Sequence, residues 1–520
     1  LSSVNMPLVT SVGSNAFYHC SSLTTVDMPL STSIGASAFH SCSSLASVTM
    51  PAVAAVGDYA FHSCLVLPSV DMPLLTSVGS NAFQSCSNLT TVNMPAVTAV
   101  GIAAFHSCSG LSSVNMTLVT SVGYNAFYDC SSLTTVDMPL STSVGSNAFQ
   151  SCSSLTTVSM PLVTILGNKT FYDCSSLTTV DMPLSTSIGA SAFHSCSSLA
   201  SVTMPAVATV GDYSFHSCLV LPSVDMPLLT SVGSNAFQSC SSLTTVNMPL
   251  VTILGNKTFY DCSSLTTVDM PLLTSVGSNA FQSCSSLTTV NMPLVTILGN
   301  KTFYGCSSLT TVDMHLITSV GTSAFKHCVD LRNFNALGHL SLPASLTSIG
   351  DSAFYRCSAL RGNLVIPSSV TSVGASAFYQ CTGFFSSPVV EDSGVTTVAG
   401  NAFDECCTQV CRNKTDAGGA CCSGDIVIDP AITALADNAF KDCTGLTSVN
   451  MTHVTVVSSS SFDGCSGLTT VIMPLVTAVG NYAFQSCSSL ITVDMPLLPS
   501  VGIAAFQSCS RLTTVNMPLV

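Results

Sequence analysis

Phenylalanine returns every 22 residues along most of this 520-residue chain, from Phe17, Phe39 and Phe61 step by step to Phe325. The step lengthens through Phe354, Phe378, Phe403 and Phe440 and returns to 22 at Phe462, Phe484 and Phe506. A fixed period of this length overrides the two to four globular domains that chain length alone suggests, because each copy is one supersecondary unit too small to bury its own apolar face. Stability must then come from neighbours stacked above and below.

One rung, residues 133–154, reads Leu-Thr-Thr-Val-Asp-Met-Pro-Leu-Ser-Thr-Ser-Val-Gly-Ser-Asn-Ala-Phe-Gln-Ser-Cys-Ser-Ser. Alternation puts Leu133, Val136 and Met138 inward and Thr134, Thr135 and Asp137 in solvent, the pattern of a short parallel strand. Pro139 ends the strand where no ladder donor is needed. Gly145 suggests a turn with positive φ, and the Asn-Ala-Phe-x-x-Cys segment a tight helical turn that buries Ala148, Phe149 and Cys152. The expected fold is a repeat solenoid of about 22 rungs, with one short parallel β-strand per rung and helical or 3-10 turns on the return side. At roughly 4.8 Å per rung it would be a rod on the order of 100 Å long.

The pattern Cys-Ser-Ser-Leu-Thr-Thr-Val-x-Met-Pro followed by Thr-Ser-Val-Gly-x-x-Ala-Phe closely resembles the BspA-like class of leucine-rich repeats. The likeness covers nearly the whole chain, with rungs of 22 residues where 23 is commoner in that class. It implies a solenoid on a cell surface, engaged in adhesion and protein contact rather than catalysis.

Three organisational blocks follow: regular rungs over 1–325, irregular rungs with insertions and a cysteine-rich loop (406–422) over 326–441, and regular rungs again over 442–520. Copies are nearly identical over long spans, with residues 27–51 recurring at 181–205. Such sameness suits a scaffold, whereas a site for one defined ligand needs rungs that differ.

Composition narrows function by exclusion. The chain is 47% hydrophobic and only 7% charged, with 25 acidic residues, Glu391 and Glu405 the only glutamates, against 11 lysines and arginines. A net charge of −14 without a basic stripe argues against nucleic-acid binding and against an anionic membrane surface. Polar residues interrupt every apolar run well short of the roughly 18 residues of a spanning helix. The sequence begins at Leu1 without an initiator Met or leader and is read as mature or a fragment. Both ends break off in the same strand phase, so either caps lie elsewhere or subunits stack end to end.

Of the 26 cysteines, 22 follow the repeat phenylalanines by three residues, from Cys20 to Cys509. They are either buried free thiols or pairs between adjacent rungs, whose spacing falls within disulfide range. Parallel Cβ vectors favour the thiols. The four others, Cys407, Cys411, Cys421 and Cys422, sit with Cys406 in the enlarged loop, which has no core of its own; two bridges between the 407/411 and 421/422 pairs are expected, with a zinc site the lesser reading.

Aspartate recurs before the strand methionine at Asp27, Asp71, Asp137, Asp181, Asp225, Asp269 and Asp313, never on two successive rungs there. Avoided like-charge repulsion explains this better than a Ca²⁺ stripe. His40 with His62, and His194 with His216, would be stacked neighbours at a surface position that Tyr and Gln occupy elsewhere; they make a weak metal site. Seven Asn-x-Ser/Thr triplets occur, at Asn88, Asn115, Asn168, Asn256, Asn300, Asn413 and Asn450. Asn168, Asn256 and Asn300 share one loop position from which a glycan would project outward.

No Gly-rich phosphate loop, nucleophile elbow or His-Glu-x-x-His motif is present, and the repeated Phe-His-Ser-Cys is a rung element rather than a catalytic group needed once. The chain is read as a non-enzyme without cofactor. Seven of the 11 basic residues (Lys326, Arg332, Arg356, Arg361, Arg412, Lys414 and Lys441) fall in the irregular block, as does the Phe384-Phe385 pair outside the phenylalanine ladder. The expectation is an extracellular or cell-surface structural protein, a head-to-tail fibre or coat component that self-associates. The alternative is an adhesin or receptor-like module that takes a protein or glycan on its strand face or at 326–441.

Overall fold

The computed structural model describes residues 1–332, 342–361, 364–384, 389–390, 397–398, 402–403, 424–428 and 433–518. Cys406, Cys407, Cys411, Cys421, Cys422, Asn413, Arg412, Lys414 and Phe385 lie outside the described residues. The chain divides into two compact units, Leu1–Val251 and Thr252–Val520. Each is a parallel-strand solenoid in which every rung repeats the path of the one before.

A regular rung carries two strands where the sequence suggests one. Thr135–Asp137 pairs in parallel with Thr157–Ser159, Val136 opposite Val158. After the Pro139-Leu140 corner, Ser143–Val144 pairs with Ser121–Val122 on one side and Ile165–Leu166 on the other. Val144 points into the core and Ser143 out, and two residues are too few to show a period. In the first unit this short ladder runs without a register shift from Ser11–Val12 to Ser231–Val232. In the second a ladder of the same kind runs from Ile253–Leu254 through Ser319–Val320, Ser348–Ile349 and Ser372–Val373 to Thr397–Val398.

The return side corrects the expected helical turn, for no helix occurs among the described residues. The amides of Asn147, Phe149 and Ser151 donate to the next rung, to Asn168, Thr170 and Tyr172 carbonyls at 2.7–2.8 Å. The intervening amides of Ala148, Gln150 and Cys152 close turns on Gly145, Asn147 and Phe149 within their own rung. An α-helix would turn every amide onto its own chain and leave nothing to join rungs. Alternation instead places Asn147 (φ 57°) and Ser151 (φ 60°) in the left-handed region, on either side of the phenylalanine. Asn accepts that conformation readily; Tyr59 and Tyr213 adopt it at the same position (φ 57° and 56°), held by their amides' bonds to the next rung.

Gly145 is not the positive-φ turn residue expected of it. A methyl there would lie 2.7 Å from the Tyr124 amide nitrogen, so glycine is required because successive rungs touch backbone to backbone at this corner.

Inside, the columns are continuous. Leu133, Val136, Met138, Ala148, Phe149 and Cys152 are all buried. Phe149 stacks between Phe127 and Phe171 with ring centroids 5.2 and 5.4 Å away and planes within 5°. The described ladder cysteines are free thiols. Cys152 Sγ donates to the Phe127 carbonyl at 3.1 Å, which also accepts the Cys130 amide, so the thiol fills the second lone pair of a buried oxygen. Burial pushes the Cys42 thiol up to about 11 and the Cys240 thiol up to about 12, which keeps these two protonated at neutral pH.

Candidate functional surfaces

The strand face is a lattice of hydroxyls, amides and spaced carboxylates whose polar groups largely satisfy one another. Thr134, Thr156 and Thr178 hydroxyls each donate to the backbone carbonyl one rung back, at 3.0–3.2 Å. Aspartates alternate with donors: Asn93 Nδ2 donates to Asp71 Oδ1 at 2.8 Å, Asn247 to Asp225 at 2.7 Å and Asn291 to Asp269 at 2.8 Å. Avoided repulsion thus has a positive counterpart at Asp71, Asp225 and Asp269, where the next rung supplies an amide for the carboxylate, whereas Asp27, Asp137 and Asp181 face Thr49, Ser159 and Thr203. Among the described residues no group of three or more His, Cys, Asp or Glu is placed to hold a metal ion.

The sequons separate by location. Asn168, Asn256 and Asn300 are exposed, and their Oδ1 atoms accept the backbone amides of Ala190, Ser278 and Thr322 at 2.8–3.0 Å. Asp58 and Asp212 do the same for Ser80 and Ser234, so this column caps the next rung with whichever side chain it carries. Nδ2, where a glycan attaches, is not the bonding atom in these caps. Asn88 is exposed beside the cysteine turn. Asn115 lies in strand Ser113–Asn115 and donates Nδ2 to Asn93 Oδ1 at 2.7 Å, so a glycan there would share its nitrogen with this bond. Asn450 ends strand Leu446–Asn450 with a buried Oδ1 that lacks a partner.

The histidines form surface stacks. Tyr18, His40 and His62 are in file at 4.8 and 4.6 Å, and Tyr172, His194 and His216 repeat the arrangement at 4.5 Å each. Every His in these pairs meets the next Ser hydroxyl through Nδ1 at 2.9 Å. Partial burial, then the neighbouring His40, lowers the His62 pKa below 6.5.

Two features of the surface were not anticipated. The residue after the corner proline, or after Thr117 in its place, forms an apolar ridge over every rung of the first unit: Leu8, Leu30, Ala52, Leu74, Ala96, Leu118, then Leu or Ala on to Leu250. Its leucines are 38–84% exposed. Inward neighbours Val119 and Val163 are buried, so the ridge points away from the core. Its signal was in the sequence, as a leucine at an outward phase of the repeat.

In the second unit, Lys326 Nζ lies 4.2 Å over the Tyr355 ring and the Arg356 guanidinium 5.5 Å from the same ring. Tyr379 stacks on Tyr355 at 4.9 Å, and Arg356 Nε donates to Gln380 Oε1 at 2.5 Å. His327 adjoins Tyr355 edge-on at 5.6 Å, and burial with the Lys326 and Arg356 charges lowers its pKa. Three of the expected basic and aromatic features of the irregular block therefore separate: Lys326 and Arg356 converge on one ring; Lys441 pairs with Asp463 at 3.2 Å; and Phe384 is a core residue. Phe384 stands three residues after Cys381, where other rungs carry leucine, and packs against Phe378 at 6.4 Å. It thus lies outside the phenylalanine ladder but inside the leucine column of the core.

No helix among the described residues is long and apolar enough to cross a membrane. The chain is similar to a leucine-rich repeat protein from Bacteroides ovatus, at 23% identity over 76% of this chain and 86% of that one, with a TM-score of 0.42. It is also similar to a leucine rich cell surface protein from Faecalibacterium prausnitzii, at 24% identity over 69% and 78%, with a TM-score of 0.30. A leucine-rich repeat protein from Eubacterium ventriosum is 23% identical over 61% and 83%, with a TM-score of 0.33. No curated protein matches the chain. The sequence profile described as BspA type leucine rich repeat region (6 copies) matches residues 10–134, 120–244, 230–339, 332–412 and 419–519, which together span nearly all of it. With the two-strand rungs and the stacked columns behind that match, the chain belongs to the BspA-type leucine-rich repeat family.

Proposed function

We propose that the chain is an extracellular structural protein of a cell-surface coat or fibre, non-catalytic and without cofactor, in which copies associate side by side as well as end to end. The observation that carries this reading is the leucine ridge. Monomeric proteins rarely expose a contiguous apolar patch larger than a few hundred Å². Nine half-exposed leucines, eight of them preceded by proline, approach the roughly 800 Å² per partner of a specific interface. The partner that fits is a second copy: side chains repeated at one rung step match a surface with the same step, and the unshifted short-strand ladder keeps that step constant from Ser11 to Ser231. Proline and threonine flank the ridge, so pairing it brings few charges together.

Sedimentation of the full chain tests this. The wild type self-associates, and the L118S/L140S/L162S variant loses lateral association while keeping its circular dichroism spectrum. A wild type that stays monomeric at about 100 μM, or a variant that associates equally well, overturns the reading. Electron microscopy distinguishes lateral sheets from end-to-end filaments, which the ridge variant retains if both contacts exist. In the same reading, Asn168, Asn256 and Asn300 carry glycans, and Cys407 and Cys411 pair with Cys421 and Cys422; intact mass before and after deglycosylation and reduction checks both. The adhesin reading is favoured by one feature, the cation cluster on Tyr355.

A further inference from the structure

We propose that Lys326, Arg356 and Tyr355, with His327 beside them, form a binding site for a sulfated polysaccharide; this rests on the adhesin reading and not on lateral packing. The chain carries a net charge of −14, yet here two cations meet on one ring, and neither is within ion-pair distance of a carboxylate among the described residues. Other lysines set beside tyrosine differ. Lys169 over Tyr172 and Lys257 over Tyr260 belong to rungs that also carry Asp173 and Asp261, two residues after the phenylalanine. At that same position the three rungs around Tyr355 carry His327, Arg356 and Gln380, so no acid shares the column there.

The cations are held in place before any ligand arrives. Lys326 rests on the ring face, and Arg356 is fixed through Nε on Gln380, which leaves its terminal nitrogens for an oxyanion. They belong to successive rungs, joined as Ser319–Val320 is to Ser348–Ile349. One rung step, roughly 4.8 Å, is close to the length of one sugar ring. Acidic side chains on one face of an extended peptide stand about 6.6 Å apart, a poorer match. Arg332 and Arg361, exposed on the same two rungs, extend the positive field toward the strand face.

Heparin is the probe, titrated onto the full chain by calorimetry at low and at physiological salt, with dextran, inorganic sulfate and polyglutamate as parallel arms. Heparin binds, with affinity falling as salt rises, while dextran does not bind and sulfate alone binds far more weakly. K326Q/R356Q weakens heparin at least tenfold, whereas K169Q leaves it unchanged. Glutamine already occupies both column positions, as Gln150 and Gln380, so the double variant keeps its fold, checked by its melting curve. Equal heparin affinity in the double variant, no heparin binding by the wild type, or polyglutamate binding as tightly as heparin would each overturn the proposal. The ridge variant L118S/L140S/L162S binds heparin normally, so failure here and failure of lateral packing are read separately.

Discussion

The regular rungs and the irregular rungs of 342–384 differ outside and agree inside. Twenty-two residues separate Phe303 from Phe325, but 29 separate Phe325 from Phe354 and 24 separate Phe354 from Phe378. The ring stack does not register the change: Phe303–Phe325 and Phe325–Phe354 are both 5.3 Å, and Phe354–Phe378 is 5.0 Å. Cys357 and Cys381 still donate to Phe325 and Phe354 carbonyls. What changes is the surface. The ridge leucine gives way to Ala344-Ser345 and Ser368-Ser369, with Ser345 and Ser369 hydroxyls donating to the carbonyls of Ile317 and Leu346, and the aspartate-bearing columns give way to Lys326 and Arg356. The lesson is that the columns fix where a rung sits, while the outward positions are free to differ from one region to another.

Four measurements break or sharpen this comparison. The largest effect is alkaline. Burial raises the Cys240 thiol from 9 to about 12 and pushes the Cys130, Cys174, Cys218, Cys284, Cys306 and Cys357 thiols up as well, so their stabilisation is complete below pH 9 and is lost as pH climbs above it. At pH 10 each fully buried thiol subtracts on the order of 1 kcal/mol, and the sum over many rungs should abolish the melting transition between pH 8 and 10.5. Amide exchange should show 342–384 failing together with the regular rungs of its own unit.

Next come the rings. Phe281→Ala and Phe378→Ala, both in the second unit, should each cost about 4 kcal/mol in denaturant unfolding. Equal losses support one shared core; a cost below about 1 kcal/mol at Phe378 would show that the irregular rungs are merely appended. Gly145→Ala should cost about 2 kcal/mol, because its methyl meets the Tyr124 amide nitrogen, and Gly374→Ala should match it against Asp351.

The smallest effect belongs to the regular region. The His62 and His216 pKa values are lowered, so their contribution is present above pH 6.5 and lost as pH falls through the lowered values. A melt at pH 5 should therefore fall by a few degrees, and H62Q/H216Q should remove that dependence.

Much of this was legible in the sequence. Leu133, Val136, Met138, Phe149 and Cys152 announce themselves as inward because each recurs with the rung. The second strand did not, because Ser143–Val144 is two residues long and its partners lie 22 residues away. Left-handed Asn147 and Ser151 were hidden because neither is glycine, while Gly145, which invited that role, serves backbone contact instead. Lys326 and Tyr355 are 29 residues apart and become neighbours only because the Phe354 rung stacks directly on the Phe325 rung.

The central claim is that each rung is a self-contained layer sharing its columns with the next. Removing residues 133–154 joins Ser132 to Leu155 in unchanged phase and takes out one layer; removing 133–143 takes out half of one. The account predicts that the first deletion keeps the far-ultraviolet spectrum and a cooperative melt close to that of the full chain, while the second loses both. Equal damage from the two deletions would contradict it.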